Sequence, residues 1–60
     1  MNRIESALET LNALEPGYEV TQWGRGDYSL YRDGVFILNA RSAAVMLRTI
    51  RDMIRDAANA

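Results

Sequence analysis

The side chains that could do chemistry in this chain are hydroxyls, carboxylates and guanidinium groups, because cysteine, histidine and lysine do not occur. Histidine is the usual general base near neutral pH and the commonest transition-metal ligand, and cysteine and lysine are common covalent nucleophiles. A pair of carboxylates could act as acid and base on a sugar. However, Asp27 and Asp33 each adjoin a glycine, where a tight turn favours aspartate, and 60 residues leave little room for a concave pocket. The sequence therefore predicts that the protein is not an enzyme and that it holds no metal and no cofactor.

Two short motifs overlap at residues 24–27. Arg25-Gly26-Asp27 is the tripeptide of cell-adhesion ligands, and Gly24-Arg25-Gly26 has the form of the start of a dinucleotide-binding loop. An adhesion ligand needs a secreted setting, which the lack of cysteine disfavours. In a dinucleotide-binding loop the third glycine would stand where this chain has Ser29, and a helix would follow. We interpret both motifs as the turn of a hairpin.

Four arginines fall on one side of a predicted C-terminal helix, namely Arg41, Arg48, Arg51 and Arg55. They span about 21 Å at 1.5 Å per residue, so this arginine row could follow a nucleic-acid backbone or an acidic protein surface. A solvated helix face, with cations placed near the helix C-terminus where they are favoured, explains the same residues. The carboxylates of Asp52 and Asp56 also reduce the positive charge of the row. The net charge of −1 argues against a nucleic-acid-binding domain.

The elements that would position these side chains follow from periodicity. Apolar residues at helical spacing predict an amphipathic helix over residues 3–14, which Pro16 and Gly17 end. β-Branched and aromatic residues predict strands over residues 18–23, 27–32 and 35–38. A second amphipathic helix is predicted over residues 40–57, with Asn39 or Ser42 as its N-cap. The order α-β-β-β-α predicts a single small α+β domain over residues 1–60, in which a three-stranded antiparallel meander packs against two helices.

The two predicted hairpins are not equally well determined. Asp33-Gly34 predicts a two-residue type I′ turn, because both positions of that turn need positive φ. The turn sets three cross-strand pairs, which are Arg32 with Val35, Tyr31 with Phe36, and Leu30 with Ile37. In the first hairpin, residues 24–26 could form a three-residue loop with a bulge, or residues 25–26 a two-residue turn. One residue of slip exchanges the sheet faces of Trp23 and Val20.

Both faces of the predicted sheet are substantially apolar. One face carries Leu30, Val35 and Ile37 beside Tyr28. The other carries Tyr31, Phe36 and Leu38, joined by Trp23 or Val20 according to the first register. If both helices cover one face, the other must meet water or a partner, and contiguous exposed aromatic surface usually marks an interaction site. If the helices instead divide between the faces, or if the sheet curls around its own aromatic side chains, no such surface is left.

These patterns favour a small non-enzymatic protein–protein interaction module that binds or occludes a partner protein. The predicted partner-binding residues are Trp23, Arg25, Tyr31, Phe36, Leu38, Arg48, Arg51 and Arg55. Phage- or mobile-element-encoded inhibitors of host systems, such as CRISPR–Cas defence, are often chains of this size and plain composition, and we expect such a role. A homodimer is a further expectation, because a 60-residue domain without disulfides or metals gains stability from self-association. The alternative is a small nucleic-acid-binding or transcription-regulatory protein that uses the arginine row.

We expect the protein to be cytoplasmic and not to enter a membrane. Residues 1–5 already include the carboxylate of Glu5, whereas a signal peptide has an uninterrupted apolar core. The longest apolar run, residues 43–47, is far shorter than a membrane span.

Overall fold

The structure is a computed structural model that describes residues 2–60. Its elements are α1 (Arg3–Leu14), β1 (Tyr18–Trp23), β2 (Asp27–Arg32), β3 (Val35–Ala40) and α2 (Ala43–Ala58). The strands form one antiparallel sheet in the order β1-β2-β3. The predicted α+β fold with the order α-β-β-β-α is therefore confirmed.

Each helix begins at a side-chain cap. The Glu5 amide donates a 2.8 Å hydrogen bond to the Asn2 side chain at the start of α1, and the Val45 amide donates one of 3.1 Å to the Ser42 hydroxyl at the start of α2. Ser42 has extended dihedral angles, as an N-cap residue does. The second helix therefore begins at Ala43 and not at residue 40, because residues 39–40 pair with β2 and lengthen β3 beyond residue 38.

The glycine turns set the register of both hairpins. Both positions of the second turn have positive φ, 53° at Asp33 and 81° at Gly34, so it is the predicted type I′ turn. The first hairpin has a three-residue loop over residues 24–26, because Trp23 pairs with Asp27. The same register sets Val20 opposite a buried leucine of β2, so the tryptophan belongs to the other face of the sheet.

A β-bulge in β3 corrects the predicted pairing of the second hairpin. Tyr31 pairs with Phe36 as predicted, but Leu30 pairs with Leu38 and not with Ile37. One extra residue therefore stands in β3 between these two pairs. Because side chains alternate with a period of two, one inserted residue exchanges the faces of those that follow it. The predicted pairing of Leu30 was wrong, and Leu38 lies on the same face as Leu30 instead of beside the exposed aromatic residues.

Both helices pack on the same face of the sheet. The buried core draws on α1, α2 and one face of the strands, and its fully buried large side chains are those of Leu11, Leu30, Met46 and Ile50. Val20, Tyr28 and Leu38 are partly buried and pack against this core from the same sheet face. Within residues 2–60, no element covers the opposite side of the sheet.

Candidate functional site

We call the uncovered side of the sheet the open face. It is formed by alternate residues of the strands, which are Glu19, Thr21 and Trp23 in β1, Asp27, Ser29 and Tyr31 in β2, and Phe36 and Asn39 in β3. Ile37 stands at the bulge beside Phe36; it is 41% exposed and lies outside the core cluster. Strands of six residues give a face about 20 Å long and about 14 Å wide, at ~3.3 Å per residue and ~4.8 Å between strands.

Three aromatic side chains give the open face its apolar character. Trp23 is 55% exposed and Phe36 is 54% exposed, while Tyr31 is half-buried. The rings of Tyr31 and Phe36 meet edge to face, with centroids 5.8 Å apart and planes at 73°, an arrangement that aromatic pairs favour. Tyr31 and Phe36 thus form a contiguous aromatic pair, and Trp23 stands toward the other end of the sheet. Exposed aromatic side chains are typical of a protein-binding surface.

Polar side chains at the centre of the open face form hydrogen bonds with one another. Ser29 is only 4% exposed, although no helix covers it. The Trp23 indole N–H donates a 3.2 Å hydrogen bond to its hydroxyl oxygen, and the Asn39 amide donates one of 3.1 Å to the same atom. The same Asn39 nitrogen also lies within hydrogen-bond distance of the Asp27 carboxylate and the Tyr28 carbonyl, so its two N–H groups are shared among three acceptors.

The structure brings together part of the predicted site. Trp23, Tyr31 and Phe36 share the open face, and Arg25 is exposed in the loop beside it. Leu38 does not join them, because the bulge turns it toward the core. Sequence reasoning missed the exposed Ile37, and β3 contains no glycine that could have indicated a bulge there.

The predicted arginine residues form a separate surface. Arg48, Arg51 and Arg55 are exposed on α2, which packs on the covered side of the sheet, so they are not part of the open face. The Arg55 guanidinium lies 3.4 Å from the Asp52 carboxylate and 3.7 Å from that of Asp56. Two carboxylates thus offset part of the positive charge that the row presents.

The adhesion tripeptide is divided between the loop and a strand. Arg25 and Gly26 lie in the loop, whereas Asp27 is the first residue of β2 and pairs with Trp23. Its carboxylate accepts a hydrogen bond from the Asn39 amide. Asp27 is therefore held in the sheet and is not presented at the tip of the hairpin.

A hollow of about 480 Å³ lies between the two helices and the sheet. Leu8, Val20 and Leu47 give it a largely apolar wall, and Arg3 and Glu5 line it as well. These two side chains carry opposite charges, so together they select neither an anionic nor a cationic ligand.

Within residues 2–60 there is no group of three or more acidic side chains placed to hold a metal ion. No helix in the same range has both the length and the apolar character needed to cross a membrane. No protein-family model, curated protein or solved structure matches this chain.

Proposed function

We propose that this protein is a non-enzymatic protein–protein interaction module that binds or occludes a partner protein through its open face. The observation that carries the proposal is the exposure of Trp23 and Phe36 on the side of the sheet that neither helix covers. Tryptophan and tyrosine are among the residues most enriched at the energetic centres of interfaces. A face held in place by two helices can block the surface of a partner without any bond being made or broken.

The arginine row supports nucleic-acid binding less well. Arg55 contacts two carboxylates, and the exposed Val45, at 52%, lies on the same helix surface. The chain as a whole has a net charge of −1, whereas nucleic-acid-binding domains are usually basic. The open face is therefore the better supported of the two surfaces.

An affinity capture from lysate, with mass-spectrometric identification of what is retained, tests the proposal. The bait is compared with the double variant Tyr31→Ser, Phe36→Ser, which removes aromatic surface from the open face. We expect this variant to lose the captured protein, because truncating residues at the centre of an interface commonly weakens binding tenfold or more. Both side chains lie outside the buried core, so far-UV circular dichroism should show a folded protein.

Two control variants make the result specific. Val45→Ser removes an equally exposed apolar side chain from α2 and should retain the partner. The double variant Arg48→Ala, Arg51→Ala removes two charges from the arginine row and should also retain it. Capture that survives in the open-face variant but is lost in the arginine variant, and that weakens steeply with salt, would favour nucleic-acid binding instead.

A further inference from the structure

We infer that one end of the open face binds an arginine side chain of the partner protein, on a row made of Glu19, Tyr31 and Phe36. This inference rests on the proposed function and names the chemistry that the same surface recognises. The three residues stand side by side across the sheet, because Glu19 pairs with Tyr31 and Tyr31 pairs with Phe36. At ~4.8 Å between strands, the row is ~10 Å wide. We call it the acidic–aromatic row.

The carboxylate of the acidic–aromatic row is exposed and has no ion-pair partner in the chain. Within residues 2–60, ion pairs are formed only by Arg55, with Asp52 and Asp56 on α2. The turn at the same end of the sheet adds a second exposed carboxylate, that of Asp33. A partner that covered this end without positive charge would leave a desolvated carboxylate, whereas a cation would be attracted to it.

The nearest arginine in the sheet is held on the opposite side. Arg32 is the only arginine within the three strands, and it alternates with Tyr31 along β2, so it belongs to the covered side. Its guanidinium carbon lies 4.9 Å from the centroid of the Tyr18 ring, and its Nε donates a 3.4 Å hydrogen bond to the Pro16 carbonyl. The positive charge at the acidic–aromatic row must therefore come from another molecule.

The two rings of the row suit an arginine in particular. Phe36 is 54% exposed and meets Tyr31 edge to face, which leaves aromatic surface open beside the carboxylate. A guanidinium group packs on aromatic rings and pairs with a carboxylate through its planar fork, while the stem of the side chain covers apolar surface. Because such a ligand uses the carboxylate as well as the rings, it needs less apolar area than a purely hydrophobic partner.

The other end of the open face is less suited to a cation. Asp27 pairs with Trp23 there, and its carboxylate accepts a hydrogen bond from the Asn39 amide. Arg25 lies in the adjoining loop, and Arg41 directly follows the neighbouring end of β3. These two arginines bring positive charge to that end, so the acidic–aromatic row is the better place for a cation of the partner.

A titration with two synthetic peptides, followed by NMR spectroscopy, tests the inference on the intact chain. The first peptide carries one arginine between two leucines. In the second, the arginine is replaced by citrulline, which has nearly the same shape and no charge. We expect the arginine peptide to shift the signals of Tyr31 and Phe36 and to bind about three- to thirtyfold more tightly than the citrulline peptide, as one ion pair and one cation–π contact predict.

Matched variants locate the charge that the peptide recognises. Glu19→Gln should weaken binding of the arginine peptide about two- to fivefold and leave the citrulline peptide unchanged, because only the charged pair is lost. Glu9→Gln removes an exposed carboxylate from α1 and should change neither. The double variant Tyr31→Ser, Phe36→Ser should weaken both peptides, since it removes the rings on which they pack.

Three outcomes would overturn the inference. The arginine peptide could fail to bind, the two peptides could bind equally well, or the preference for arginine could survive Glu19→Gln. Any of these results, with protein capture still lost in the double variant Tyr31→Ser, Phe36→Ser, would leave the proposed function standing. Capture that does not depend on those two residues would refute the proposed function itself.

Discussion

Replacing Leu38 with alanine should destabilise the fold much more than replacing Phe36 with alanine, although the two residues stand two positions apart in one strand. In a regular strand, residues two apart share a face. Here the bulge turns Leu38 toward the core, beside Leu30, while Phe36 stays on the open face. The comparison therefore tests the β-bulge, which determines which residues of β3 lie on the open face.

The two expected losses differ enough to be measured. Leucine-to-alanine changes in a core cost about 2–5 kcal/mol, and Leu38, which is only partly buried, should fall near the lower end, at about 2 kcal/mol. Phe36 is 54% exposed and keeps one edge-to-face contact with Tyr31; such a pair is worth about 0.5–1.5 kcal/mol. Its removal should therefore cost about 1 kcal/mol or less.

Thermal and urea unfolding, followed by far-UV circular dichroism, provide the assay. A domain of 60 residues has a free energy of unfolding of about 3–9 kcal/mol, so a loss of about 2 kcal/mol is a large fraction of it. At about 4–8 °C per kcal/mol, the Leu38→Ala melting temperature should fall by roughly 8–16 °C. Both variants are measured at the same low protein concentration. Equal losses, or a larger loss for Phe36→Ala, would refute the bulge and return Leu38 to the open face.

Two further predictions concern the positions that hold the sheet in register. Gly17→Ala should be more destabilising than Gly24→Ala in thermal melts. Both glycines have positive φ, but 107° at Gly17 lies outside the left-handed region that alanine can adopt, whereas 70° at Gly24 lies at its edge. An added methyl group at Gly17 would also displace the Asp33 carboxylate, while at Gly24 it meets open space. Similar losses of about 1 kcal/mol each would contradict this difference. Asn12→Ala should cost about 1–3 kcal/mol and speed hydrogen exchange of the Tyr18 amide, because two hydrogen bonds to that residue are lost. Unchanged exchange at Tyr18 would show that another group protects the strand edge.

The parts of the fold that local chemistry determines could be predicted from the sequence. Asp33-Gly34 allows few conformations other than a type I′ turn, and the structure has that turn. Alternating and helical apolar patterns likewise predicted the order of the elements, which the structure confirms. These signals lie within a few residues of each other and do not depend on tertiary contacts.

The features that depend on tertiary contacts could not be predicted in the same way. The helix predicted over residues 40–57, with Asn39 or Ser42 as its N-cap, starts too early, because cross-strand pairing with β2 keeps residues 39–40 in the sheet. The bulge at residues 36–37 carries no glycine, so only the packing of Leu38 against the core indicates it. The choice between covering one face and covering both depends on how α1 and α2 pack together, which apolar periodicity does not specify.

Acrylamide quenching of the tryptophan fluorescence tests the central claim, that the open face is a protein-binding surface, most directly. Trp23 is the only tryptophan in the chain and lies on the open face with more than half of its surface exposed. It should be readily quenched in the free chain and strongly protected in a complex with a captured protein. An assembly in which Trp23 is quenched as readily as in the free chain would place the interface elsewhere and contradict the account.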